Sequence, residues 1–144
     1  MEASPFVGAW RLLSWELRDA AGHIDYPFGR DPIGYLIYTP DGYMSATLTP
    51  ARRPHFAASD PLGGDVVERA AAAATCIAYA GPYEVQAGTI LHHVEVSLFP
   101  NWIGSTQERH YAFSDDRLTL STAPIIVRGI EQRAYLVWER APQR

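Results

Sequence analysis

His92, Arg109 and Glu16 are the side chains whose types and positions could move a proton or hold a charge inside a fold. Over residues 89–98 the period-2 alternation of extended chain puts Ile90, His92, Val94, Val96 and Leu98 on one face and Leu91, His93, Glu95 and Ser97 on the other. Apolar count aims His92 inward. A neutral imidazole among aliphatic groups, near a carboxylate, works as a general acid or base close to neutral pH. The alternative is a core histidine satisfied by a neighbour's backbone. His93 and Glu95, two apart on the opposite face, could supply two metal ligands. No third ligand is evident, so no metal is expected.

Over residues 106–114 the same alternation places Gln107, Arg109, Tyr111 and Phe113 opposite Thr106, Glu108 and His110. The aromatic face should be the interior. A buried guanidinium is costly unless a carboxylate or an anionic ligand pairs with it; the other reading is an arginine near a strand end that snorkels to water. In the first strand Trp10, Leu12, Ser14 and Glu16 share one face, and Arg11, Leu13, Trp15 and Leu17 the other. If Trp10 points inward, Ser14 and Glu16 follow it and Glu16 becomes the partner of Arg109. If Trp15 is the inward residue, Glu16 is solvated.

Phe99-Pro100-Asn101-Trp102 joins two strands at a rim, where Asn101 and Trp102 either form a lip over a ligand or close the barrel end. Tyr38, Met44 and Tyr83, with Ser14 and Gln107, complete the expected lining, and Tyr35 and Tyr43 are further phenols. The run Arg52-Arg53-Pro54-His55-Phe56 either attracts an anionic group or is a solvated loop.

These residues need a frame. Eight β-rich runs, at 7–18, 33–39, 43–49, 83–86, 89–98, 106–114, 117–122 and 130–140, are separated by turn signals at short intervals. Pro40-Asp41-Gly42, Ala87-Gly88 and Asp115-Asp116 are tight enough to make the neighbouring strands antiparallel hairpins. One helix interrupts the series between the third and fourth strands: Asp65 caps an alanine-rich run over 66–80, and Gly81-Pro82 supplies the stop. The fold class is all-β, an eight-stranded antiparallel barrel with sequential pairing, whose interior holds side chains or one small ligand.

Composition removes other classes. At 144 residues and 47% hydrophobic, the chain makes one domain and one core. Its 12 basic residues are all arginine, and the net charge of −4 offers no concentrated positive field, so nucleic acid is not an expected partner. Cys76 is the one cysteine and cannot form an intrachain disulfide. The N-terminus lacks a signal-peptide pattern, and the longest uncharged stretch, 70–83, is short of the roughly 20 residues a bilayer span requires, so a cytoplasmic protein without a membrane partner is expected. There is no Gly-rich phosphate loop, nucleophile elbow or dinucleotide fingerprint, so no cofactor is expected. A monomer or homodimer remains open.

Gly8-Ala9-Trp10 in the first strand and Trp138-Glu139-Arg140 in the last resemble the calycin signature, in which a tryptophan near the barrel floor packs under an arginine. A longer resemblance runs through YPFGRDPIGYLIYTPDGYMSA (26–46), DPLGG (60–64), HHVEVSLFPNWIG (92–104), RLTLSTAP (117–124) and LVWER (136–140). In order along nearly the whole chain, these are similar to the bacterial and fungal lipocalin-like domain family. The family commonly has glycine where this chain has Val96, and an aromatic at His110. The resemblance implies a lipocalin-like barrel holding a small, largely hydrophobic molecule, with kinship to small barrel cyclases and carriers.

Two functions fit. In one, a cofactor-free isomerase, cyclase or lyase uses His92 or Glu16 to move a proton while Arg109 or Tyr111 stabilises negative charge. In the other, a non-catalytic carrier uses the same groups to orient its ligand.

Overall fold

A computed structural model describes residues 4–144. The elements in order are β1 (Gly8–Asp19), β2 (Ile24–Asp25), β3 (Ile33–Tyr38), β4 (Tyr43–Thr49), α1 (Val66–Ala74), β5 (Ile77–Gln86), β6 (Thr89–His93), β7 (Val96–Ser97), a 3-10 turn (Pro100–Trp102), β8 (Thr106–Ser114), β9 (Arg117–Ser121), β10 (Ile125–Val127) and β11 (Ile130–Arg140). Sequential antiparallel pairing runs β1, β3, β4, β5, β6, β8, β9, β11, and β11 returns to pair with β1. The result is the closed eight-stranded meander that the hairpin turns predict. β2 and β10 are short flaps on β1 and β11.

Strict alternation explains most of the interior. Along β3, Leu36 and Tyr38 are buried while Ile33, Tyr35 and Ile37 are exposed; along β4, Met44, Ala46 and Leu48 are buried and Tyr43 is exposed. β1 breaks the rule once. Leu12 pairs with Trp138 and Ser14 with Val137, so Leu13 is an extra residue, a β-bulge that shifts the face by one. Trp10 and Leu12 point inward before it, and Trp15 and Leu17 after it.

The helix is shorter than its alanine run suggests. Asp65 caps it as expected, accepting from the Glu68 N–H at 2.8 Å while Glu68 accepts from the Asp65 N–H at 3.1 Å, a reciprocal capping box. It stops at Thr75, and residues assigned to its second half form the start of β5. Gly81-Pro82 is therefore no helix stop but the middle of a strand. A Cβ on Gly81 would lie 1.8 Å from the His93 carbonyl oxygen, so only glycine lets the neighbouring chain approach this closely. Pro82, which has no N–H to give a ladder, faces the gap where β6 ends and β7 begins. That gap also overturns the continuous fifth strand. Ile90, His92 and Val94 are interior, but Val96 and Leu98 are 68% and 43% exposed.

One end of the barrel is filled. Phe6 meets Tyr38, Tyr111 and Phe113 edge-on at ring-centroid distances of 5.5, 4.9 and 4.9 Å. Beside them the Trp10 indole donates to the Phe6 carbonyl at 2.9 Å, and the Arg140 guanidinium lies 4.2 Å from the Trp10 ring centroid. Arg140 also donates to the carbonyls of Val7 (2.7 Å) and Pro5. Gly8, at φ +127°, leaves room for this, since a Cβ there would sit 2.9 Å from Arg140 Nη1. This is the floor that the Gly8-x-Trp10 and Trp138-x-Arg140 pairing foretells. At the opposite end β4 leaves the barrel for the excursion that carries α1, a helix that buries none of its residues. No helix among the described residues is long and apolar enough to cross a membrane.

Candidate functional site

Above the floor the interior opens into a cavity of about 250 Å³. Leu17, Leu36, Leu48, Ile77, Leu120 and Leu136 supply much of its apolar wall. Ala46 and Ala134, on opposite sides of the sheet order, widen it because their side chains stop at Cβ.

The polar wall is built by β5, β6 and β8. His92 on β6 is 1% exposed; its Nε2 lies 2.7 Å from the Tyr38 hydroxyl and its Nδ1 2.8 Å from the Tyr79 hydroxyl. Burial, with the positive charge of Arg109 and then His93 nearby, lowers the His92 pKa from 6.5 to about 3, so the ring is neutral. A neutral imidazole donates from one nitrogen and accepts at the other. Tyr38 is sealed in the core with His92 as the partner of its hydroxyl, whereas Tyr79 lines the cavity, so the Tyr38 proton is assigned to Nε2. Nδ1–H then donates to Tyr79 Oη. The Tyr79 proton is left to point elsewhere, and Tyr79 lines the cavity.

Burial pushes both phenols up, Tyr38 well above the ordinary range, with the neighbouring Tyr79 adding to the effect. For Tyr79 the close guanidinium of Arg109 acts in the opposite direction. Both remain protonated donors at neutral pH.

Arg109 on β8 is half-buried and lines the cavity. Its hydrogen bonds go to neutral oxygens, Gln107 Oε1 at 3.2 Å and the Glu108 carbonyl at 3.0 Å. Gln107 in turn donates to Ser105 Oγ at 3.0 Å, which fixes the amide that orients the guanidinium. No carboxylate lines the cavity among the described residues. The indole Nε1 atoms of Trp15 and Trp138, two more lining residues, are buried without a hydrogen-bond partner.

Of the expected site residues, His92, Arg109 and Trp102 line this volume, and Tyr38 reaches it through His92. Trp102 both lines the cavity and packs edge-on against Tyr79, with centroids 5.6 Å apart. Glu16 does not join them. The bulge at Leu13 turns it to the outer face, where it pairs with Arg18 at 2.7 Å, and Ser14 is carried away from the cavity with it. Tyr111 faces inward but toward the floor, its ring against Phe6 and its hydroxyl donating to the Gln86 carbonyl at 3.2 Å. Met44 is core, Tyr83 donates to the Thr39 carbonyl at 2.8 Å, and Asn101 is exposed on the 3-10 turn. Gln107 acts on Arg109 rather than on the cavity. His93, weighed as a metal ligand, has its nitrogens 2.8 Å from Glu84 and 2.9 Å from Thr106.

The important residue absent from the expectations is Tyr79, hidden inside the alanine-rich run read as helix. The one local signal for a strand there is Ile77-Ala78-Tyr79, which ends the run of alanines with β-favouring side chains.

The chain belongs to the lipocalin-like domain family: residues 7–141 match the family described as "Lipocalin-like domain". A relative from Aspergillus oryzae, named 4'-hydroxy-3'-methoxypropiophenone carrier protein ppsC, is 38% identical over 109 residues, covering 69% of this chain and 98% of the relative. No solved structure matches the chain.

Proposed function

We propose that this member of the lipocalin-like domain family is a carrier for a compact, mostly apolar molecule of about one ring, held inside the barrel and released unchanged. The observation that carries this reading is the cavity itself. Its roughly 250 Å³ exceeds the ~150 Å³ that accommodates benzene and falls near the lower bound for small-molecule pockets. The name of the relative supports it, since a propiophenone bearing hydroxyl and methoxy groups is one ring with a short acyl chain. The missing carboxylate also favours carriage over catalysis. Glu16 lies outside, and His92, held between two phenols and neutral far below pH 7, is poorly placed to exchange protons with a ligand.

Titration of the purified protein with 4'-hydroxy-3'-methoxypropiophenone tests the proposal, read by the fluorescence of the lining Trp15, Trp102 and Trp138 and by native mass spectrometry. Saturable one-to-one binding with the compound recovered intact is expected. A flat titration together with an empty barrel overturns the reading.

A second reading rests on the Tyr38–His92–Tyr79 chain. It presents one phenol proton beside a guanidinium, a pair that could protonate and stabilise an enolate in a cofactor-free isomerisation, cyclisation or lyase step. Conversion of the bound compound in the titration would favour this reading.

A further inference from the structure

Every strongly polar group that the cavity presents, apart from the Thr122 hydroxyl, is a donor or is already satisfied. Thr122 Oγ1 itself accepts from the Ala134 N–H at 3.0 Å. His92 has both nitrogens engaged, which leaves the Arg109 guanidinium and the Tyr79 hydroxyl proton. We propose that the ligand is an acid, bound as its anion, with its charged oxygens on Arg109 and Tyr79 and its apolar body toward Leu17 and Leu136. This rests on the carrier reading and specifies what the same site takes.

The argument is one of compensation. The half-buried Arg109 has no carboxylate partner: its hydrogen bonds go to two neutral oxygens, and the neutral Tyr79 hydroxyl lies beside it. An apolar body filling the cavity that Arg109 lines removes solvent from the guanidinium. A guanidinium stripped of solvent is stabilised best by a charge-complementary acceptor, and its planar fork suits two oxygens on one carbon or on adjacent atoms. A neutral ligand such as a ketone offers the guanidinium only a dipole, so it binds but less tightly than the anion. Tyr79 adds a neutral donor beside it, held in place by His92. No carboxylate lines the cavity among the described residues, so no like charge there repels an anion.

The test uses three probes of one shape: 3-phenylpropanoate, 3-phenylpropanamide and 4-phenylbutan-2-one, titrated at pH 7 into the wild-type protein and into Arg109→Gln. The expected result is that the carboxylate binds wild type roughly 10- to 100-fold tighter than either neutral compound, the range of a charge-assisted hydrogen-bonded pair. In Arg109→Gln that advantage should vanish while the ketone affinity changes little. Equal or tighter binding of the neutral probes to wild type overturns the anion proposal and leaves the carrier reading standing. A carboxylate preference that survives in a folded Arg109→Gln removes Arg109 from the site. Should that variant not fold, the wild-type series decides the charge requirement by itself, and Arg109→Met provides the second substitution. Failure of all three probes to bind a barrel that also retains no small molecule overturns both proposals.

Discussion

His92 Nδ1 and the Tyr79 hydroxyl, 2.8 Å apart across the β5–β6 junction, join the filled half of the barrel to its open half. On the other side of the ring Tyr38 is sealed among core aromatics. Replacing His92 by leucine leaves two buried hydroxyls without their partner, at about 1–3 kcal/mol each. For a chain of this size the melting temperature should fall by roughly 5–15 °C. Thermal denaturation by circular dichroism checks this; a shift within two or three degrees would show that the phenols find other partners.

The same histidine makes stability depend on pH. Its pKa is lowered in the fold, first by burial and then by Arg109 and His93, from 6.5 to about 3. Below pH 6.5 the unfolded chain therefore binds a proton that the folded chain refuses. The contribution is fully present above about pH 6.5, declines as pH falls, and is lost by about pH 3, a span worth on the order of 5 kcal/mol. Urea unfolding at pH 7.5 and 4.5 should show wild type losing roughly 2–3 kcal/mol more than His92→Leu between the two.

At the floor, Arg140→Met removes the cation from the Trp10 face and the donors from the carbonyls of Val7 and Pro5. An exposed contact of this kind with its hydrogen bonds contributes about 1–2 kcal/mol. Stability should drop by that amount with ligand affinity unchanged, since neither Arg140 nor Trp10 lines the cavity. A large loss of binding would contradict the separation of floor from cavity.

Ala134→Phe places a ring in the space that the ligand needs. Ala134 is 4% exposed and lines the cavity from β11. Binding should weaken by roughly tenfold or more with the fold retained, because filling an existing void offsets the strain of the larger side chain. Calorimetric titration beside a thermal melt distinguishes this from unfolding.

The floor and the inward face of His92 are legible in the sequence because both depend on local alternation and on short signatures, Gly8-x-Trp10 and Trp138-x-Arg140. The placement of Glu16 is not. A single extra residue at Leu13 inverts the second half of β1, and no side chain there advertises the bulge. Tyr79 is obscured for a different reason. Alanine favours helix locally, but pairing of Tyr79 with Ala46 and Ser97 overrides that preference through contacts distant along the chain. Gly81-Pro82 misleads for a related reason: the pair marks a close crossing of two chain segments as readily as a helix end.

The seam between β1 and β11 sets the order of events in biogenesis. On a translating ribosome the hairpins from β3 to β9 can pair as they emerge, yet the vessel stays an open, curling sheet until Arg140 has cleared the exit tunnel. A small molecule can be enclosed only after synthesis has passed that point, and a nascent chain stalled before it would present outward the greasy surface that closure of the seam turns inward.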